Sequence, residues 1–237
     1  MRRPLAGLAG LIFAGLAGLT CPLAALAAPV PFDFSTIGGS NPHGTSLTSG
    51  GVLAEGFTSG FVPQPLWVRN DNPTDHGVGV CSEGTSACSS GGGDVNELSN
   101  QENFEFIRLS RPLNTVWTSL WVSSLDNGGS NDAEAGFLLW SNDPLFGTFN
   151  FFHFAYGDFG AGVNEGDVLT LAAASGFNPA ARYVVFENDI SNGPNNDYLV
   201  WKGDTTFRQL QETPEPASLA LIGMALGALA LGRRKRV

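Results

Sequence analysis

Basic residues are scarce in this chain away from its ends. Of 237 residues only twelve are Lys or Arg, against 22 Asp or Glu, and six of the twelve are terminal: Arg2, Arg3, Arg233, Arg234, Lys235 and Arg236. Residues 28–213 hold 6 basic and 21 acidic residues, a net charge of −15. Phosphate contacts need a basic surface, which argues against a nucleic-acid partner. An acidic one suits solubility outside the cell and binding of divalent cations or neutral polymers. Histidine is rarer still: His43, His76 and His153 lie in separate segments, none with a second ligand at i+2 or i+4, so metal catalysis by histidine is not signalled. There is no G-x-S-x-G elbow, no H-E-x-x-H and no P-loop. Carboxylates are plentiful, but sequence alone does not show two of them facing one cleft at glycosidase separation. No catalytic residue is assigned, and the expectation is a noncatalytic protein.

The ends carry what the middle lacks. Arg2 and Arg3 precede an apolar Leu/Ala/Gly segment from Leu5 to Leu19, and Ala25-Leu26-Ala27 supplies small residues where a signal peptidase reads. Residues 1–27 are expected to be a signal peptide cleaved after Ala27. Cys21 raises a lipoprotein alternative, although Gly18-Leu19-Thr20 matches that signal poorly and the apolar run continues past it. At the other end stand Pro214-Glu215-Pro216, an apolar run Leu219–Leu231, and Arg233-Arg234-Lys235-Arg236. A helix over Ala217–Leu231 would bury no charge and satisfy its own backbone in hydrocarbon. Fifteen residues reach roughly 22 Å, short of a roughly 30 Å hydrocarbon core, so the flanking arginines must snorkel. By the positive-inside rule the four terminal cations stay cytoplasmic and everything before Pro214 lies outside the cytoplasm. The prolines break any helix entering from upstream and present an extended, protease-accessible segment.

These residues resemble the PEP-CTERM sorting signal of Gram-negative bacteria. Pro214, Glu215 and Pro216 match its motif, Leu219–Leu231 its membrane helix and Arg233–Arg236 its basic cluster; Thr213 stands where the family often has Val. The resemblance implies export, recognition by an exosortase at the inner membrane, and delivery to the cell surface or the extracellular matrix, in company with exopolysaccharide or biofilm. It covers about a tenth of the chain, so residues 213–237 are taken as the sorting signal and residues 28–212 as one ectodomain, a length that suits a single core.

Within that ectodomain the pattern is all-β. Strand-like stretches run Val30–Phe34, Val52–Phe57, Leu66–Arg69, Val78–Cys81, Phe104–Leu109, Thr115–Val122, Gly136–Trp140, Thr148–Phe154, Val168–Leu171, Tyr183–Glu187, Tyr198–Lys202 and Phe207–Leu210, separated by Gly, Asn, Asp or Pro. Several alternate with period two and none carries a sustained helical stripe. The expected fold is a two-sheet antiparallel β-sandwich of jelly-roll type. A shorter likeness points the same way. Gly77-Val78-Gly79-Val80, Gly93-Asp94-Val95-Asn96-Glu97-Leu98 and Glu105-Phe106-Ile107-Arg108-Leu109 are similar to a pattern in ectodomains of PEP-CTERM proteins.

Three ectodomain features carry candidate chemistry. Cys81 and Cys88, the two cysteines left after signal removal, lack zinc spacing and are expected to form a disulfide in an oxidising compartment. Closing that loop stabilises the fold by roughly 2.5 kcal/mol on the chain-entropy model. Asp94, Asn96 and Glu97 follow three glycines, with Glu102 nearby, and offer hard oxygen ligands to calcium. A second group, Asn188, Asp189, Asn192, Asn195, Asn196 and Asp197, is weaker. Neither fits an EF-hand, and turn chemistry is the competing reading of both. Finally, Trp67, Trp117, Trp121, Trp140 and Trp201 all fall in the ectodomain. Strict alternation puts Trp117 and Trp121 on one face of their strand and Val116, Leu120 and Val122 on the other, so the tryptophan pair forms either a sugar-stacking platform or part of a core buried on both sides.

Overall fold

The computed structural model describes residues 28–38, 41–70, 76–82, 97–99, 104–125, 134–155, 167–169, 176–191, 196–208 and 224–225. The expected signal peptide, Pro214–Pro216 and the basic cluster lie outside them. Met224 and Ala225, the described residues of the apolar tail, are helical. Among the described residues no helix is long and apolar enough to cross a membrane.

Among the described residues fifteen strands follow in order: β1 Pro29–Asp33, β2 Asn41–Pro42, β3 Ser46–Ser49, β4 Val52–Thr58, β5 Val62–Gln64, β6 Leu66–Asn70, β7 His76–Val80, β8 Leu98–Ser99, β9 Glu105–Ser110, β10 Thr115–Ser123, β11 Ala135–Ser141, β12 Asn150–Ala155, β13 Asp167–Leu169, β14 Tyr183–Asn188 and β15 Asp197–Phe207. They form two antiparallel sheets. The first has the order β13-β10-β15-β7-β6-β2, with β1 and β8 also on β15; the second has the order β12-β11-β14-β9-β4-β3, with β5 on β4. Two antiparallel sheets are what the short alternating segments predict. The short strands β2, β3, β5 and β8 have too few residues to show a period, and the sequence pattern does not resolve them.

One boundary is corrected. Tyr198–Lys202 and Phe207–Leu210 are not two strands, because β15 runs unbroken through Gly203 to Phe207. That glycine reads as a break in the sequence, yet it is in place for a close approach. A Cβ there would stand 2.4 Å from the Ser119 carbonyl oxygen and 2.6 Å from the Phe32 ring.

The sheets close over one core. Phe32, Leu66, Val78, Trp117, Leu120, Tyr198 and Val200 meet Ile107, Leu109, Leu138, Trp140, Phe154, Val184 and Phe186 in a single buried cluster. Phe154 and Tyr198 touch across the sandwich, ring centres 5.4 Å apart at 77°. Here the alternation of β10 is corrected too. Trp117 pairs with Thr205 and Ser119 with Asp204, so Thr118 is an extra residue and the phase of the strand changes at a bulge. Trp117 (1% exposed) therefore joins Leu120 and Val122 in the core, and Trp121, half-buried, does not share its face. The expected tryptophan pair is dissolved by one inserted residue.

Candidate functional site

The described members of the two candidate calcium clusters are engaged internally. Glu97 (3% exposed) points its carboxylate inward to Arg69 as an ion pair, and Ser124 Oγ donates to the same oxygen at 3.2 Å. Asp94, Asn96 and Glu102 lie outside the described residues. In the second group, Asn196 Oδ1 accepts from Ala135 N (2.7 Å) while its Nδ2 donates to Ala135 O (2.8 Å) and Asp189 O (2.9 Å). Asn188 Nδ2 donates to the carbonyls of Leu98 and Asn196. These amides close strand ends, as turn chemistry predicts. Among the described residues no three His, Cys, Asp or Glu side chains are grouped to hold a metal. Cys81 is fully buried against Trp67 and is itself disulfide-bonded, whereas Cys88 lies outside the described residues, so the identity of its partner stays an expectation.

The histidines remain apart. His153 Nε2 is 2.9 Å from Asp189 Oδ2. His76 stacks on Trp201 at 5.2 Å and 26°. The Lys202 ammonium lies 3.7 Å from the centre of that indole and 5.7 Å from that of Trp121. Of the five tryptophans, Trp121 and Trp201 are half-buried and the other three are core. The Trp201 ring is thus already engaged by an imidazole and an ammonium.

Two concavities meet at the β11–β12 connection, residues 142–149. Its shape follows from Asp143, whose carboxylate accepts from Leu145 N (3.0 Å) and Gly147 N (2.9 Å). Ser141 Oγ ties the loop's base by accepting from Asp143 N (2.9 Å) and donating to Thr148 O (2.6 Å). On one side lies a polar cleft of about 520 Å³ lined by Trp140, Asn142, Asp143, Thr148, Phe149, Asn150 and Asn178. Asn142 and Asn178 use their side-chain oxygens on Arg182 N (2.9 Å) and Ala180 N (3.0 Å), which leaves their amide donors for the cleft. The Trp140 indole N–H is buried and has no partner among the described residues. The far wall is anchored by the Ala181 carbonyl, which accepts from Arg111 Nε (2.7 Å) and Trp117 Nε1 (3.0 Å).

On the other side, over the outer face of the second sheet, lies an apolar cavity of about 300 Å³. Register explains its floor. His153 pairs with Phe137, Phe137 with Glu187, Glu187 with Phe106 and Phe106 with Phe57, giving one row of side chains across β12, β11, β14, β9 and β4. The next row is Phe151, Leu139, Val185, Arg108 and Glu55. Phe61, from the turn between β4 and β5, and Phe146, from the β11–β12 loop, close over these rows. Glu187 sits in the wall, and burial pushes its carboxyl up to about 7. Beneath it the fully buried Tyr198 donates its hydroxyl to the Glu187 carbonyl at 2.9 Å; burial, and secondarily Glu187, raise the phenol well above its ordinary range. Arg108 flanks the cavity, lying 5.0 Å from the centre of the Phe57 ring and gripping Glu55 through Nε (3.1 Å) and Nη2 (2.8 Å).

This cavity was not foreseen from the sequence. The one signal for it is Phe137-Leu138-Leu139-Trp140, an apolar run with no polar alternate, which requires cover on both faces of the sheet.

Comparison with known proteins bears on the tail alone. A family model described as the PEP-CTERM protein-sorting motif matches residues 212–236. No curated protein and no solved structure matches the chain. The matched stretch contains Pro214–Pro216, the apolar run and the four cations, and such a motif marks an exported chain for exosortase sorting at a membrane. The described body is an all-β sandwich of two antiparallel sheets, and the chain carries a PEP-CTERM protein-sorting motif at its C-terminus.

Proposed function

We propose that the β-sandwich is a noncatalytic surface or extracellular-matrix component associated with exopolysaccharide or biofilm. Signal peptidase releases residues 1–27, the apolar tail holds the chain in the inner membrane, and exosortase acts at Pro214–Pro216 before the body passes to the surface or the medium. The observation that carries this reading is the tail: a proline-flanked acid, a short uncharged span and a basic stop, in that order at the C-terminus. The sandwich is of jelly-roll type, a reading supported by the repeated change of sheet between β9 and β15. The test is deletion from Thr213 onward in the native host. The expected result is loss of the membrane-bound precursor and of surface delivery. Unchanged localisation, or a reporter fused after Val237 found on the outer side of the membrane, overturns the reading.

A second reading, a secreted carbohydrate-binding or carbohydrate-active module with the same tag, is favoured by the polar cleft at Trp140. Amide donors beside an indole and the exposed Phe149 ring suit a polyhydroxylated ligand. A glycan array and a hydrolase panel separate the two readings. Retention of a glycan that is lost in Asn178→Ala supports a binding module, turnover abolished by a single carboxylate substitution supports an enzyme, and silence in both assays favours the matrix role. Calcium at Asp94, Asn96 and Glu102 remains a proposal; Glu97 could join such a site only by leaving Arg69.

A further inference from the structure

The outer face of an antiparallel sandwich sheet is ordinarily its wet side. Here phenylalanine rings wall a cavity of about 300 Å³ on that face. Phe106 is the floor. Phe61 stands edge-on to it at 5.0 Å and 79°, and Phe104 is tilted at 6.2 Å and 49°. Phe146 and Phe149 approach from the β11–β12 loop. Phe61 and Phe146 both hold left-handed backbone, with φ of 59° and 54°. For a residue other than glycine that conformation costs about 1–3 kcal/mol and clusters at ligand clamps. Two loops from different parts of the chain thus take strained conformations to put a ring into the same space.

The acid in that wall is the second observation. Among the described residues the Glu187 carboxyl makes no hydrogen bond and no ion pair, while each charged group around it is engaged elsewhere. Arg108 holds Glu55, His153 holds Asp189, and Asp143 caps its own loop. The Tyr198 hydroxyl, from the opposite sheet, donates to the Glu187 backbone carbonyl rather than to its carboxyl. A solitary carboxyl walled by phenyl rings complements a cation that carries its own apolar cover, because ring faces are electron-rich and attract weakly hydrated ammonium groups.

We propose that the cavity formed by Phe61, Phe104, Phe106, Phe146, Phe149 and Glu187 binds an alkylammonium group, the rings making cation–π contacts and Glu187 supplying the counter-charge. The size agrees, since about 300 Å³ is the small end of ligand sites and admits a compact head group rather than a polymer. The acidic body attracts a cation from a distance. Binding is linked to proton release. Burial holds Glu187 protonated to about pH 7, so an ammonium must displace that proton and affinity rises between pH 6 and pH 8.

The experiment is calorimetric titration of the purified full-length chain with choline and, separately, with 3,3-dimethyl-1-butanol, its uncharged isostere. At pH 8 choline should bind one per chain and about tenfold more tightly than the alcohol, with the advantage shrinking at pH 6. Glu187→Gln should shrink the advantage to what the rings alone supply and abolish its pH dependence. Leu139→Phe, which fills the cavity from its wall, should abolish binding of either compound while the melting transition stays cooperative. Equal affinity for choline and the alcohol at pH 8, no choline heat from the folded wild-type chain, or a Glu187→Gln chain that behaves as wild type overturns the proposal.

Discussion

Asn196→Ala should destabilise this protein far more than the loss of three side-chain atoms would indicate. Asn196 (1% exposed) behaves as one residue of an extra strand. Its amide exchanges two hydrogen bonds with the backbone of Ala135, at 2.7 and 2.8 Å, and gives a third to Asp189 O at 2.9 Å. Ala135 opens β11 and is itself 1% exposed, so its N–H, stripped of Oδ1, has little access to water. Taking about 1 kcal/mol for each of the two bonds that Nδ2 gives and about 1–3 kcal/mol for the buried Ala135 N–H left without its acceptor, the substitution costs about 3–5 kcal/mol. For a domain of this size that lowers the melting temperature by about 10 °C. Asn196→Asp keeps an acceptor for Ala135 N but turns a carboxylate toward two carbonyls, and should be no better. Urea denaturation followed by circular dichroism is the assay. The midpoint should fall with the slope unchanged, so that stability is lost without a change in surface exposed on unfolding. A shift worth less than about 0.5 kcal/mol, the range of ordinary surface substitutions, would refute the reasoning. So would a calcium-dependent rise in the wild-type midpoint that Asn196→Ala removes, since the amide would then be a ligand and not a strand clamp.

Arg69→Met leaves Glu97 buried without its cation and should cost about 3–5 kcal/mol, while Arg69→Met with Glu97→Met should recover most of that loss. A double variant as unstable as the single, in the same denaturation assay, would show that the pair is not the source of the cost. Burial holds Glu187 at about 7 against an ordinary 4.5. The folded chain therefore keeps a proton that the unfolded chain releases above pH 4.5, and the contribution of Glu187 to stability falls as pH rises from about 4.5 to about 7. Comparison of melting curves across that window should show Glu187→Gln with a flatter profile than wild type; parallel profiles refute the shift. Mass spectrometry of exported chain without reductant should find the Cys81–Cys88 peptide about 2 Da lighter than its reduced form, and free thiols at both positions would refute the bridge.

How far the sequence reaches is clearest residue by residue. Val30, Phe32 and Val52 to Phe57 read as strands because side chains on a pleated chain alternate faces, a local property that survives any arrangement of neighbours. The same rule misplaced Trp117 and Trp121. A bulge at Thr118 depends on where Asp204 and Thr205 sit across the sheet, and no signal in Val116–Val122 announces it. Glu97 followed glycines and looked like a ligand, yet its carboxylate answers to Arg69, brought in from another strand. The candidate cavity was less legible still. Phe61, Phe106, Phe146 and Glu187 are scattered over more than a hundred positions and meet only because β9 and β14 pair in one register and two loops fold over them.

By itself the sequence determined the sorting motif at the C-terminus and the all-β fold class. A sorting motif is a linear segment, legible without any fold, and period-two alternation is written into consecutive residues. Only the tertiary structure decided which tryptophans are core, which carboxylates are paired and which one stands alone among phenyl rings, because burial and charge compensation belong to contacts between strands remote in sequence.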